Sequence, residues 1–486
     1  MSNININIKS YLGHKGYSIY KDSLSVKDIQ WLRDELTVSP HTPKSMAMYG
    51  IPTKFSIYRE SQQKIYVPRY FGQEIYGKPK EVRLNDPVKI SIPFTGNVRD
   101  YQEQIIETYM NNLNNGGGLL EIPCGRGKTV MALKIASLVG LKTIVIVHKS
   151  FLADQWIERI EQFLPNARIG RIQGQIIDIE DKDIVIGMLQ SLSMKEYPPS
   201  LFAEFGLTIC DEVHHIAAEV FVRSLYQIVT KYVLGLSATM QRKDGLSKVF
   251  KMFLGDIIYK EETITNGAVE VRIYDYTCKD EEFNQTSLDF RGNPAYSTMM
   301  TKLCTFNNRS DFIIKIISDL ITENPTQQII VLGHFKSLLT YLFKSIEYRN
   351  IGTVGYYVGG MKPKALKESE GKQIIIATYA MASEALDIKS LSTLIMATPK
   401  TDVTQSIGRI LRTTHSKPLV IDVVDSHDVF KRQGAKRITH YNKQGYQIKR
   451  SSNIDYGNFK VITKKSNIQS EPNLSTPFKG NCMIKL

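Results

Sequence analysis

At 486 residues the chain is too long for one ordinary core, and its length fits three or four domains. Hydrophobic residues make up 42% and charged residues 23%, which excludes a wholly disordered chain and fits a soluble globular one. The formal net charge of +14 favours a polyanionic partner, either nucleic acid or an acidic membrane surface.

Residues 1 to about 95 hold short alternating stretches such as Lys64-Ile65-Tyr66-Val67, punctuated by Gly and Pro. They read as a small β-rich or α+β accessory domain. Within it, residues 55–72 set aromatics beside arginines, either as a DNA-engaging surface or as packing. From about residue 96 to 262, apolar runs alternate with helical patterns, with strands expected at Gly118–Ile122, Thr143–Val147, Ile184–Gly187, Leu207–Asp211 and Val233–Leu236. Short buried strands separated by helices predict βαβ units and a parallel sheet. Residues 263–310 read as a linker with some helix. A second αβ series over 311–430 has expected strands at Gln328–Leu332, Gln373–Ala377, Thr393–Ala397 and Leu419–Val424. Residues 431–486 form a basic C-terminal extension whose Asn-, Ser- and Pro-rich end predicts disorder.

Within that extension, residues 431–465 carry ten Lys/Arg against the single acid Asp455. Phe430, His440, Tyr441, Tyr446, Tyr456 and Phe459 are interleaved with them. The segment is either a solvated basic tail or a nucleic-acid contact in which aromatics stack on bases while cations hold phosphates. Five scattered cysteines with no Cys-x-x-Cys suggest neither a zinc site nor a disulfide framework, and fit a reducing, intracellular compartment. The N-terminus lacks a signal-peptide core, and no apolar run approaches a membrane span.

Pro123-Cys124-Gly125-Arg126-Gly127-Lys128-Thr129 follows an apolar strand and precedes the helical pattern Val130–Val139, the context a phosphate-binding loop requires. Backbone N–H groups of Gly125, Arg126 and Gly127 and the helix N-terminus would receive phosphate oxygens. Lys128 would reach the β- and γ-phosphates of ATP, and the Thr129 hydroxyl would ligate Mg²⁺. The general pattern has glycine where this chain has Ile122. Asp211-Glu212 ends the run Leu207–Cys210, placing both carboxylates at the C-terminal edge of a parallel strand, where α/β sites form. Asp211 is the second expected Mg²⁺ ligand, and Glu212 is the group expected to polarise an attacking water. Gln102, in Arg99-Asp100-Tyr101-Gln102, either pairs with adenine N6–H and N7 through its amide or sits on a helix surface. Downstream, Gln405-Ser406-Ile407-Gly408-Arg409-Ile410-Leu411-Arg412 offers two guanidiniums about one helical turn apart, suited to charge developing on a transferring phosphate.

Together these segments resemble the superfamily 2 helicases over about residues 99–424. Arg99–Gln102 looks like the Q motif, Pro123–Thr129 motif I, His148–Trp156 motif Ia and Asp211–His214 motif II. Ser237–Thr239 looks like motif III, Ala377–Leu391 motif V and Gln405–Arg412 motif VI. The shorter Pro-x-Gly-x-Gly-Lys-Thr loop and the run Arg242-Lys243-Asp244-Gly245 look most like the XPB type and related phage and large-DNA-virus helicases. In that type the central residue of the Arg-Glu-Asp element is Glu, where this chain has Lys243.

The resemblance implies an α/β fold of two tandem RecA-like lobes, and ATP hydrolysis coupled to movement on nucleic acid. By it, Gln405, Arg409 and Arg412 approach the γ-phosphate, and Glu384 and Asp387 sit at the lobe interface, Asp387 toward the nucleotide. Arg99 joins Gln102 at the nucleotide, while His214, Ser237, Thr239 and Arg242 relay nucleotide state to the strand. Strand contacts come from His148, Lys149, Gln190 and Phe335, with Met188 and Phe335 alternatively core residues. DNA is favoured over RNA as the track, with 3′-to-5′ movement and transcription, repair or replication as the setting, and transcription or repair proteins as further partners. An RNA helicase or transcript-release ATPase, and a non-hydrolysing nucleic-acid binding module, remain as alternatives. A viral source would add virion and host cytoplasm to the nucleus as locations.

Overall fold

The computed structural model describes residues 8–40, 54–123, 125–212, 218–240, 245–261, 269–384, 388, 390–410 and 418–462. Two eight-stranded sheets, a five-stranded sheet and a two-stranded one organise them. In the first large sheet the spatial order is Ile176–Asp178, Ile169–Gln173, Ile184–Met188, Thr143–Val147, Leu207–Asp211, Tyr232–Ser237, Gly117–Glu121 and Ile257–Lys260. All pair in parallel except the outermost hairpin strand Ile176–Asp178. Helices cover the interior strands, which are therefore mostly apolar; every residue of Thr143–Val147, Ile184–Met188 and Leu207–Asp211 is buried. The parallel arrangement has one functional consequence. The loops after Glu121, Val147, Met188, Asp211 and Ser237 all leave from one edge.

The second large sheet runs Val354–Tyr357, Ile374–Thr378, Gln328–Gly333, Leu391–Met396, Leu419–Asp425, Glu270–Tyr276, Gln447–Ser452 and Lys460–Val461. Only the last pair is antiparallel. This lobe extends beyond residues 311–430 on both sides. Glu270–Tyr276, expected within a linker, is an interior strand between Leu419–Asp425 and Gln447–Ser452. The segment from 431 to 461, expected as a basic extension, supplies most of the helix Asp428–Lys443 and then the two closing strands. Its aromatics are inside: Phe430, Tyr441 and Tyr446 are buried, while Tyr456 and Phe459 pack against the core. Charge pairing explains how such polar strands enter a sheet. Lys449 meets Glu270 at 2.8 Å, and Arg450 meets Asp275 through hydrogen bonds of 2.7 and 2.8 Å. The buried Arg437 is held by Asp422 at 2.7 and 2.8 Å. Lys431, Arg432, Lys436, Lys443 and Lys460 stay exposed.

The N-terminal unit is a five-stranded sheet ordered Arg59–Glu60, Lys64–Val67, Gly16–Tyr20, Ser10–Gly13 and Glu81–Val82. It carries the helix Val26–Glu35, closed by a reciprocal Ser25/Asp28 capping box. One apolar cluster joins it to the first lobe, running from Tyr17, Ile65 and Phe71 to Phe221, Tyr226 and Phe253. The Tyr226 hydroxyl donates to the Ile57 carbonyl at 2.7 Å, and Arg69 donates to the Lys231 carbonyl at 2.9 Å. Arg59 lies over the Tyr226 ring. Residues 55–72 thus use their aromatics and arginines to seat this unit on lobe 1. Between the lobes, Phe151 packs against the core clusters of both.

Candidate nucleotide site

Gly117–Glu121 delivers the chain to a tight loop in which Gly125 and Gly127 take φ of 81° and 78°. Left-handed backbone there suits glycine and turns successive N–H groups inward. Ile122 is fully buried among Leu120, Met131 and Leu236. An apolar side chain anchors the loop at that point, and its backbone N–H donates to the Ser237 carbonyl at 2.8 Å. The loop and the segment after the neighbouring strand are therefore hydrogen-bonded to each other. The helix Lys128–Val139 starts directly at Gly127.

Gln102 supports the loop from behind. Its Oε1 accepts from the Arg99 backbone N–H at 3.0 Å, and its Nε2 donates to the Arg126 carbonyl at 2.9 Å. A Cβ on Gly127 would come 2.4 Å from that Nε2. Both ends of the amide are thus engaged within the protein, and the side chain is buried. In this structure it fixes the loop, and its burial sets aside the surface position that was one of its two expected placements. The Tyr101 hydroxyl adds a second donor to the Arg126 carbonyl at 3.2 Å. The Arg126 guanidinium lies 3.6 Å from the Tyr101 ring centroid and pairs with Glu261.

Opposite the loop, Asp211 is the last residue of its buried strand and Glu212 follows it directly. The Asp211 carboxylate accepts from Trp156 Nε1 at 2.9 Å. Burial, followed by the adjacent Glu212 charge, pushes the Asp211 carboxyl up to about 6. Glu212 is held at φ 49°, a left-handed conformation costing roughly 1–3 kcal/mol for a residue with a Cβ. That turn brings its carboxylate to Lys128 Nζ at 2.9 Å, with only 10% and 20% of the two side chains exposed. A cation, two carboxylates and a glycine loop therefore converge at one sheet edge. The hard oxygen donors of Asp211 and Thr129 at the helix N-terminus suit Mg²⁺.

Of the remaining expected site residues, Ser237 is buried and its hydroxyl donates to the Thr239 carbonyl at 2.6 Å. His148 and Lys149 begin the loop after Val147 at the same edge, half-buried, and Gln190 is exposed after Met188. Met188 is a core residue, whereas Phe335 is 37% exposed. Arg409 and Gln405 lie in the helix Thr404–Ile410, and Glu384 ends Tyr379–Glu384. The side chains of Gln405, Arg409 and Glu384, together with His214, Arg242, Asp387 and Arg412, lie outside the described residues. Trp156, Tyr101 and Glu261 were not singled out from sequence. Trp156 carried a signal, an indole at helical spacing after the strand ending at Val147; Glu261 carried none.

Comparison with known proteins fits this geometry. Residues 95–242 match the family described as type III restriction enzyme, res subunit. A protein of Acanthamoeba polyphaga mimivirus, named as an ATP-dependent RNA helicase, is 35% identical over 460 residues, spanning 91% of this chain and 87% of its own. The chain belongs to the superfamily 2 helicases of large-DNA-virus type. A helicase of Invertebrate iridescent virus 6 is 25% identical over 82% of this chain and 92% of its own. Among solved structures, S. cerevisiae Dbp5 bound to RNA and ADP BeF3 is similar at a TM-score of 0.52 and 15% identity. That match covers 74% of this chain and 90% of the other, a likeness of fold. The helicase is an ATP-hydrolysing enzyme with two tandem α/β lobes. No helix among its described residues is long and apolar enough to cross a membrane.

The Trp156 hydrogen bond favours ionised Asp211. In this helicase, Trp156→Phe is expected to push that carboxyl further up, so the acid limb of ATPase activity moves to higher pH. A pH–rate profile checks this, and an unmoved limb would detach Asp211 from the ionisation that limits turnover.

Proposed function

We propose that the enzyme is an ATP-driven translocase or helicase acting on DNA. The observation that carries the hydrolytic part is the convergence of Lys128, Glu212 and Trp156-bound Asp211 on the Gly125–Gly127 loop. In this reading Lys128 leaves Glu212 for the β- and γ-phosphates, and the freed Glu212 carboxylate orients the attacking water. Thr129 and Asp211 would hold Mg²⁺, which supplies neutralisation of phosphate charge when bound. Gln405, Arg409 and Arg412 act from the second lobe on charge developing in transfer, and Asp387 joins them at the interface. His148, Lys149, Gln190 and Phe335 lie on the strand path, with His214, Thr239, Arg242 and Glu384 coupling it to nucleotide state.

DNA is supported by the run Arg242-Lys243-Asp244-Gly245, by Asp-Glu-Val-His rather than Asp-Glu-Ala-Asp at 211–214, and by the restriction-enzyme family match. The name of the mimivirus relative favours the second reading, an RNA track. ATPase stimulation by single-stranded DNA, duplex DNA and RNA separates them. DNA is expected to stimulate most; stronger stimulation by RNA would select the second reading, and none by any would sink both. Arg409→Ala should lower stimulated turnover by about 10³-fold or more, the size of an arginine-finger effect, measured under saturating ATP. Unchanged turnover would remove Arg409 from the site.

A further inference from the structure

Residues Gln285–Ala295 of the second lobe form a built turn with an apolar tip. Asp289 Oδ1 accepts from the backbone N–H groups of Arg291 and Asn293, both at 2.9 Å, and Asp289 N–H donates to the Asn293 carbonyl at 2.7 Å. Leu288 pairs with Pro294 across the base, and Gly292 closes the turn at φ 79°. Those backbone hydrogen bonds hold the Asp289 carboxyl below its ordinary range. The turn is therefore locally fixed, yet it presents Phe290 at 83% exposure and Leu288 at 59%. Phe290 is among the most exposed aromatics of the described residues, and Arg291 lies over its ring at 4.7 Å. Displaying a large apolar ring on a pinned turn stabilises nothing within the fold.

The turn also has a fixed neighbour. Tyr296, just after it, accepts at its hydroxyl from Gln433 Nε2 at 3.3 Å and sets its ring 6.0 Å from Phe430. Phe283, just before it, meets His427 edge-on with ring centroids 5.1 Å apart, and His427 Nε2 lies 2.6 Å from the Phe283 carbonyl. The turn is thereby attached to the N-terminal half of the helix Asp428–Lys443. Beside Gln433 on that helix, Arg432 and Lys436 stand four residues apart and exposed, with exposed Lys431 adjacent. Of the acids nearby, Asp289 and Asp280 each have a carboxylate oxygen engaged by backbone N–H groups, and Asp428, Glu281 and Glu282 sit in first turns of helices, where the backbone dipole offsets part of their charge.

We propose that Phe290 and the ridge Lys431-Arg432-Lys436 form one nucleic-acid strand contact, the ring stacking on a base and the cations holding flanking phosphates. This rests on the reading of the enzyme as a nucleic-acid motor. It replaces the stacking role that the sequence suggested for Phe430, Tyr441 and Tyr446, which are buried. An aromatic face with adjacent cations matches a single strand of either sugar type, since every base has a π-face.

The test measures affinity for labelled single-stranded DNA and RNA oligonucleotides across a salt series, with nucleic-acid-free ATPase as a control. Phe290→Ala and Phe290→Leu should each weaken single-strand binding by about 10-fold, and Phe290→Trp should restore it. The triple variant Lys431→Ala/Arg432→Ala/Lys436→Ala should reduce the slope of log K against log salt by about 2, as for three lost phosphate contacts. Basal ATPase should not change in any of them. Wild-type affinity and slope in these variants, with normal stimulation of the wild-type enzyme, would overturn the contact and leave the motor reading intact. A wild-type enzyme that binds neither strand would overturn both.

Discussion

Lys128→Ala is expected to lower nucleic-acid-stimulated ATP turnover by about 10²–10³-fold, and Glu212→Gln by about 10²–10⁴-fold. The two losses should look alike in turnover and differ in binding. Lys128 and Glu212 form a mostly buried ion pair at 2.9 Å, with the raised Asp211 carboxyl next to it. Removing the lysine deletes a cation that should reach the phosphates. It also leaves two neighbouring carboxylates without their counter-charge, so Asp211 moves up further and holds metal less well. Removing the Glu212 charge does the reverse. It takes away a repulsion that raises Asp211 and releases Lys128, so nucleotide binding should persist or tighten while hydrolysis stops. Equilibrium ATP titration alongside steady-state turnover separates these outcomes. Unchanged turnover in either variant, or equally weakened ATP binding in both, would contradict the roles assigned to the pair.

The strands that carry this site were legible because helices cover both faces of the sheet. Thr143–Val147 and Leu207–Asp211 are then buried at every position and mostly apolar, and such runs stand out, ending where chemistry begins. Glu270–Tyr276 and Gln447–Ser452 were not legible for the opposite reason. Their polar residues look like linker and tail until Arg272 finds Glu323, Lys449 finds Glu270 and Arg450 finds Asp275 across 50 to 180 residues of chain, roughly, separations no local pattern encodes. The same applies to charge. Counting cations in 431–465 located a basic region, but Arg437, Lys449 and Arg450 are engaged within the lobe, and the interleaved aromatics belong to its core. Within the site, residue types announced Lys128 and Asp211-Glu212. The tie from Gln102 to the loop and from Trp156 to Asp211 depends on which helices pack behind the sheet.

Arg309→Ala is expected to destabilise the second lobe by about 3–5 kcal/mol, the usual consequence of leaving a buried charge without its partner. Arg309 and Asp425 are both fully buried, joined by hydrogen bonds of 2.5 and 2.9 Å, and Arg309 also donates to the Ala397 carbonyl at 2.8 Å. The double variant Arg309→Met/Asp425→Leu should recover most of the loss, because neither charge then remains in the core. What persists should be about 1–3 kcal/mol for the Ala397 carbonyl left without a donor. That carbonyl belongs to a loop with several other anchors. Thr398 accepts at its carbonyl from the Tyr379 hydroxyl at 2.6 Å, and its own hydroxyl lies 2.7 Å from His334 Nδ1. The Lys400 carbonyl accepts from the buried Arg437 at 3.0 Å. Four residues later the helix bearing Arg409 begins at Thr404. Two buried guanidiniums therefore hold the segment from which the expected arginine finger is launched. The double variant should regain protease resistance across residues 269–461 while its stimulated turnover stays below that of the wild type. Pulse proteolysis in urea and steady-state ATPase read the two effects separately. Full recovery of both would assign Arg309 to stability alone, and failure of the double variant to recover stability would show that the ion pair is not the source of the loss.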